Sequence, residues 1–174
     1  MIEVKELRKS FNGDVEVLKG ITTTFETGKV NLIIGQSGSG KTVFLKSLLN
    51  VYEPSSGGIL FDGRDIMNMS REEKQGLRAE IGTVFQGSAL FDSMTVEENI
   101  SFPLDMFTNL TYREKKRKVL EVIGRVNLDK ANKKFPSEIS GGMQKRVAIA
   151  RAIVNNPKYL FCRSEEHTSE LQSR

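Results

Sequence analysis

Apolar residues are interspersed with polar ones through the first 25 positions. Ile2 to Phe11 and Val15 to Phe25 read as two β-rich runs around the turn Asn12-Gly13-Asp14. Val30 to Ile34 is mostly apolar, the pattern of a strand buried in a mixed or parallel sheet. A Gly-rich loop follows, and Thr42 to Asn50 predicts a helix. Ser55-Ser56-Gly57-Gly58 is a turn before a strand over Ile59 to Phe61. From there the period lengthens. Three Ser/Thr-x-x-Glu patterns open helices: Ser70 with Glu73, through about Ala79; Thr95 with Glu98; and Thr111 with Glu114, reaching about Val126. Gly142 to Val154 is a further helical run, stopped by Asn155-Asn156-Pro157. Ile81 to Phe85 and Tyr159 to Cys162 are apolar strands. Strands thus flank a helical stretch from about 95 to 154, which predicts an α/β core with a helical insertion.

Composition narrows the class. The chain has 174 residues, 38% apolar and 28% charged, enough for one domain with a sizeable core. No apolar run approaches the length of a membrane span, and Met1-Ile2-Glu3-Val4 lacks the features of a signal peptide. The lone cysteine, Cys162, excludes an internal disulfide framework. These features predict a cytoplasmic protein. The net charge of +4 gathers in Arg113-Glu114-Lys115-Lys116-Arg117-Lys118. That run reads as a solvated helix face, or else as a contact for anionic lipid. It carries no interleaved aromatics to stack bases, so nucleic acid is not an expected partner.

Residues 163–173, Arg-Ser-Glu-Glu-His-Thr-Ser-Glu-Leu-Gln-Ser, match the translation of a common sequencing-library adapter. They are therefore set apart from the fold, as an artefactual tail over 163–174. The genuine protein is expected to end at Cys162 with more missing beyond it. His167, the only histidine, lies in this tail.

The strongest chemistry is Gly35-Gln36-Ser37-Gly38-Ser39-Gly40-Lys41-Thr42, which fits G-x-x-x-x-G-K-[ST]. Its glycines let the backbone curl so that successive N–H groups face one phosphate, and the following helix adds the positive end of its dipole. Lys41 can reach the β- and γ-phosphates, and the Thr42 hydroxyl suits Mg²⁺. A second motif, Ile139-Ser140-Gly141-Gly142-Met143-Gln144-Lys145-Arg146, opens another helix with glycines behind a serine, a second anion-binding N-terminus.

The two motifs together resemble the ATP-binding subunit of ABC transporters, whose signature is usually LSGGQ. Here Ile139 replaces the leucine and Met143 precedes Gln144. The run Arg146-Val-Ala-Ile-Ala-Arg-Ala-Ile153 continues the likeness, which covers residues 1 to 162. The resemblance implies a P-loop NTPase core with an antiparallel β subdomain and an inserted α-helical subdomain, an ABC nucleotide-binding domain that is incomplete here. It implies ATP contacts from Gly35 to Val43 and adenine stacking on Phe11. It also implies that Ser140, Gly141, Gly142 and Gln144 grip the γ-phosphate of ATP held by a second subunit in a head-to-tail homodimer. Thr42 and Gln86 would serve Mg²⁺, with Gln86 also serving the attacking water and the membrane subunit. Lys41 and Gln86 are the catalytic positions the resemblance assigns. The expected partners are that second subunit and an integral membrane permease, with the chain peripheral on the inner face of the membrane.

Gln86-Gly-Ser-Ala-Leu-Phe-Asp-Ser-Met-Thr-Val-Glu-Glu-Asn99 and the Ser-Gly-Gly-Met signature are similar to ATPases of Mce-type lipid-transport systems. In the wider family an apolar strand ends in Asp-Glu, for Mg²⁺ and for polarising water. Here Tyr159 to Cys162 is followed by Arg163 and Ser164, with Glu165 one position late. The chain as it stands is therefore expected to bind ATP but not to hydrolyse it appreciably. Loss of the C-terminal strands would also leave apolar sheet surface uncovered. Two other readings are a soluble ABC-type ATPase acting on ribosomes or DNA, and a nucleotide-binding module without catalysis. The first usually needs two cassettes or a long coiled coil, and neither is visible.

Overall fold

The computed structural model describes residues 1–11 and 15–163. The turn at 12–14, and Ser164, Glu165 and His167, lie outside the described residues. The chain divides into two compact units, Met1–Lys74 and Gln75–Arg174.

In the first unit β1 (Ile2–Phe11), β2 (Val15–Phe25), β3 (Ser56–Phe61) and β4 (Arg64–Asp65) form a sheet in the order β2-β1-β3-β4 with antiparallel neighbours. Ile2 and Val4 share its buried face by alternation, but Leu7 falls out of phase with them. A bulge centred on Glu6, at φ 47°, corrects the phase and returns Leu7 to full burial. Helix α1 (Lys41–Leu48) buries Phe44 and Leu48, and the Phe44 ring centroid lies 6.2 Å from that of Phe25.

The segment Val30 to Ile34 corrects the sequence expectation: it forms no strand. Val30, Leu32 and Ile34 are exposed, at 90%, 81% and 79%. The apolar run signals a wish for burial, but a strand also needs a ladder partner. Its start is instead bound into a local turn. The Asn31 amide accepts from Glu26 N and donates to the carbonyls of Glu26 and Lys29 at 3.1 and 3.2 Å, competing with extended pairing.

Helix α2 (Arg71–Ala79) runs from the first unit into the second. There β5 (Ile81–Val84) and β6 (Tyr159–Cys162) pair in parallel, and the chain between them is helical: α3 (Val96–Phe107), α4 (Tyr112–Arg125) and α5 (Gly141–Ile153). Val96, Ile100 and Leu104 recur every fourth residue along α3. They close a core with Val119 and Ile123 of α4, and with Val147 and Ala150 of α5. The basic residues Arg113, Lys116 and Arg117 lie on the exposed side of α4. The backbone of β5 approaches the end of α5 closely at Gly82, where a Cβ would stand 2.3 Å from the Ala152 carbonyl oxygen.

All three capping boxes form. The backbone N–H groups of Ser70, Thr95 and Thr111 donate to the carboxylates of Glu73, Glu98 and Glu114 at 2.7, 2.7 and 2.8 Å. Each hydroxyl accepts the reciprocal N–H. Among the described residues no helix is long and apolar enough to cross a membrane.

Candidate functional site

The Gly-rich loop ends directly on α1. Gly40 is the N-cap at φ 92° and Gly38 stands at φ 80°, conformations that a side chain resists. A Cβ on Gly40 would also crowd Val17 and Leu18 at 3.3 Å. No side chain caps the helix, and its first turn carries no acid, so its N–H groups face outward without a protein carboxylate to compete. The Lys41 ammonium lies over the loop, donating to the Gly35 and Gln36 carbonyls, the latter at 2.7 Å. Thr42 and Val43 occupy the first turn of α1, half-buried; Gln36, Ser37 and Ser39 are exposed. A cation, a helix N-terminus and left-handed glycines are the donor set that suits a polyphosphate such as that of ATP. In the same unit Phe11 closes β1. Its ring meets that of Tyr52 edge-on at 5.4 Å, with Lys9 Nζ 5.0 Å from its centroid.

In the second unit Ser140 is the N-cap of α5, and its hydroxyl accepts from Met143 N at 3.3 Å. Ser140, Gly141 and Gly142 are exposed, and nothing lies within 4 Å of where a Gly141 Cβ would be. The Gln144 side chain turns back to donate to the Pro136 carbonyl at 2.9 Å, steadying the turn that precedes the signature.

Gln86 is exposed just after β5, at the head of a tightly bent loop. Gly87, Ser88 and Ala89 all have positive φ, at 73°, 63° and 43°. Two residues that sequence reasoning did not single out hold this loop. Arg151 of α5, almost fully buried, donates to the carbonyls of Ser88 and Ala89, both at 2.9 Å. Burial pulls its pKa below the usual arginine value. Asn99 of α3, wholly buried, accepts from Phe91 N at 2.9 Å, and its amide N–H groups face the carbonyls of Phe91, Met94 and Thr95. A polar residue inside the apolar period of α3 was the available signal for Asn99. Arg151 offered only a charged residue amid Ala-Ile-Ala and Ala-Ile. Beyond β6, Arg163 N donates to Val84 O at 3.0 Å, so the ladder runs on into the position where the resemblance expects an acid.

Residues 18–162 match the profile of the ABC transporter family. The chain belongs to that family. Its ABC fold is shared with the ATP-binding cassette MJ0796, solved as a dimer in a post-hydrolysis state bound to ADP and Pi. That structure has a TM-score of 0.84 and 30% identity, over 93% of this chain and 73% of that one. The chain is 44% identical to the Mycobacterium leprae protein named "Probable ribonucleotide transport ATP-binding protein mkl", over 92% of this chain and 46% of that one. It is 39% identical to the cell division ATP-binding protein FtsE of Bacillus subtilis, over 98% and 74%. The ABC chain therefore spans about half the length of relatives such as mkl.

Proposed function

We propose that this chain is the nucleotide-binding part of an ABC transporter ATPase: it binds MgATP at the loop Gly35 to Thr42 and couples that binding to a membrane permease. The observation that carries the reading is Lys41 poised over a left-handed glycine loop at the start of α1. In this reading the loop N–H groups and Lys41 hold the β- and γ-phosphates, Thr42 orients its hydroxyl toward the metal, and Phe11 supports the adenine. Mg²⁺ supplies charge neutralisation on the phosphates. Ser140, Gly141 and Gly142 offer their exposed N-terminus to ATP held by a second copy, and the dimeric cassette MJ0796 supports that arrangement.

Permease contact is supported by an apolar groove in the second unit, lined by Phe85, Phe91, Phe102 and Phe107. The chain would sit peripherally on the inner face of the membrane. The relatives' names span ribonucleotide transport and cell division, so cargo does not follow from likeness. The stretch Gln86 to Asn99 favours lipid transport of the Mce type.

Hydrolysis needs acidic residues after β6, and Arg163 puts a cation there. The test is equilibrium binding of a fluorescent ATP analogue with and without Mg²⁺, alongside phosphate release. Binding without appreciable turnover is expected. Magnesium-dependent phosphate release that Lys41→Ala abolishes would refute the predicted inactivity, and failure to bind ATP would refute the reading.

A further inference from the structure

The loop after β5 is held in an unusual backbone conformation. Three successive residues, Gly87, Ser88 and Ala89, have positive φ, and two of them carry a side chain. Left-handed residues other than glycine are strained, and persist where surrounding structure over-determines them. The loop's own bonds are few: Ser88 N to Phe85 O at 3.3 Å and Ala89 N to Gly87 O at 2.7 Å. What over-determines it lies 62 and 63 residues away. The two terminal nitrogens of Arg151 divide between the two strained carbonyls, Nη1 to Ala89 and Nη2 to Ser88, both at 2.9 Å. The guanidinium also lies 5.8 Å from the centroid of Phe91, the residue that Asn99 pins from both its N–H and its carbonyl. Among the described residues Arg151 has no carboxylate partner within ion-pair distance. A buried cation is costly, and this one is committed to two backbone carbonyls.

Arg151 and the motif Ser140-Gly141-Gly142 share one unbroken helix, Gly141–Ile153. We propose that Arg151 is a positioning residue. Through its fork onto Ser88 and Ala89 it makes the loop carrying Gln86 move as one body with α5, so the helix end that meets a nucleotide sets where Gln86 stands. A planar guanidinium holds two N–H donors in a fixed fork across the two carbonyls; a lysine ammonium on a flexible stem does not fix that geometry. The proposal rests on the ATP-site reading above, which supplies the role of Gln86.

The test compares Arg151→Lys, Gln86→Ala and the double variant with the unaltered chain, by hydrogen exchange and by Mg²⁺ titration of ATP binding. In Arg151→Lys, amides of residues 86–90 should exchange about tenfold faster while those of 147–153 stay near their original rates, as for local rather than global opening. Gln86→Ala and Arg151→Lys should raise the Mg²⁺ midpoint in the same direction, and the double variant should equal the larger single effect, as for residues acting as one unit. Metal-free ATP affinity should not move. Exchange that is unchanged, or that rises evenly across α3 and α5, overturns the proposal, as do additive Mg²⁺ shifts or a silent Gln86→Ala. A chain that binds no ATP at all refutes the site reading first and the proposal with it; in the other failing outcomes ATP binding through Lys41 survives.

Discussion

The ammonium of Lys41 donates to the carbonyl of Gln36, five residues back, at 2.7 Å. The loop therefore supplies its own acceptors to the cation that follows it. A bound polyphosphate must draw Nζ away from those carbonyls, and gains a charge-assisted bond in exchange. Lys41→Met should weaken ATP binding by about tenfold or more, since a hydrogen bond to a charged group contributes about 1.5–3 kcal/mol. AMP, which lacks the outer phosphates, should lose little. Titration of both nucleotides against both proteins checks this, and an equal loss for AMP would take Lys41 off the phosphate end.

Asn99 is fully buried, and its amide serves one N–H and three carbonyls. Asn99→Ala removes the partner of the Phe91 N–H and of the Met94 carbonyl, while the Phe91 and Thr95 carbonyls keep the backbone N–H groups of Met94 and of residue 99; it should destabilise the protein by about 2–3 kcal/mol. Urea unfolding followed by circular dichroism measures it. A change within a few tenths of a kcal/mol would mean that water replaces the amide, and that the site is less enclosed than its burial indicates.

Gly82 leaves no room for a side chain. A Cβ there would stand 2.3 Å from the Ala152 carbonyl oxygen and 2.9 Å from Pro157. Gly82→Ala should therefore force β5 away from the end of α5 and cost about 1–3 kcal/mol, the range for overpacking. Thermal unfolding reads this directly, with Gly76→Ala as the comparison, since nothing crowds that position.

The capping carboxylates give a pH dependence. Glu98 is held below the ordinary carboxylate range by the Thr95 backbone N–H and then its hydroxyl; for Glu114 the Thr111 hydroxyl leads and the backbone N–H follows. A folded pKa below the unfolded one stabilises above the unfolded value, about 4.3 for glutamate, and that contribution fades as pH falls through the folded value. Replacing both with glutamine should lower the urea midpoint at pH 7 and leave it almost unchanged at pH 3. Equal losses at both pH values would show that the charge on these side chains is irrelevant to the caps.

What could be read along the chain was what is decided locally. The strands β1 and β2 begin and end where the β-rich runs around residues 12–14 place them, and the starts of α2, α3 and α4 are written in the Ser/Thr and Glu of each box. The Gly-rich loop was legible because backbone geometry and phosphate chemistry both need glycine at fixed spacing. Val30 to Ile34 misled because apolar character reports a preference for burial, whereas strand formation requires a partner that no short window contains. The two-residue β4 is too short to carry a period. The roles of Arg151 and Asn99 were hidden for a related reason: their partners are backbone carbonyls and an N–H, which every residue offers, so nothing in the side-chain sequence at 88, 89 or 91 names those partners.

The repeated boxes have a consequence for how the second unit is reached in time. Nucleating a helix is its slow and unfavourable step. In α3 and α4 the groups that secure the first turn lie within four residues of one another. The helical cluster can therefore assemble from short-range encounters, whereas β5 must wait for β6, whose residues pair with it 78 positions later, as Leu160 does with Gly82. The parallel pair is thus the late event, and the helices between its strands form the template on which it closes.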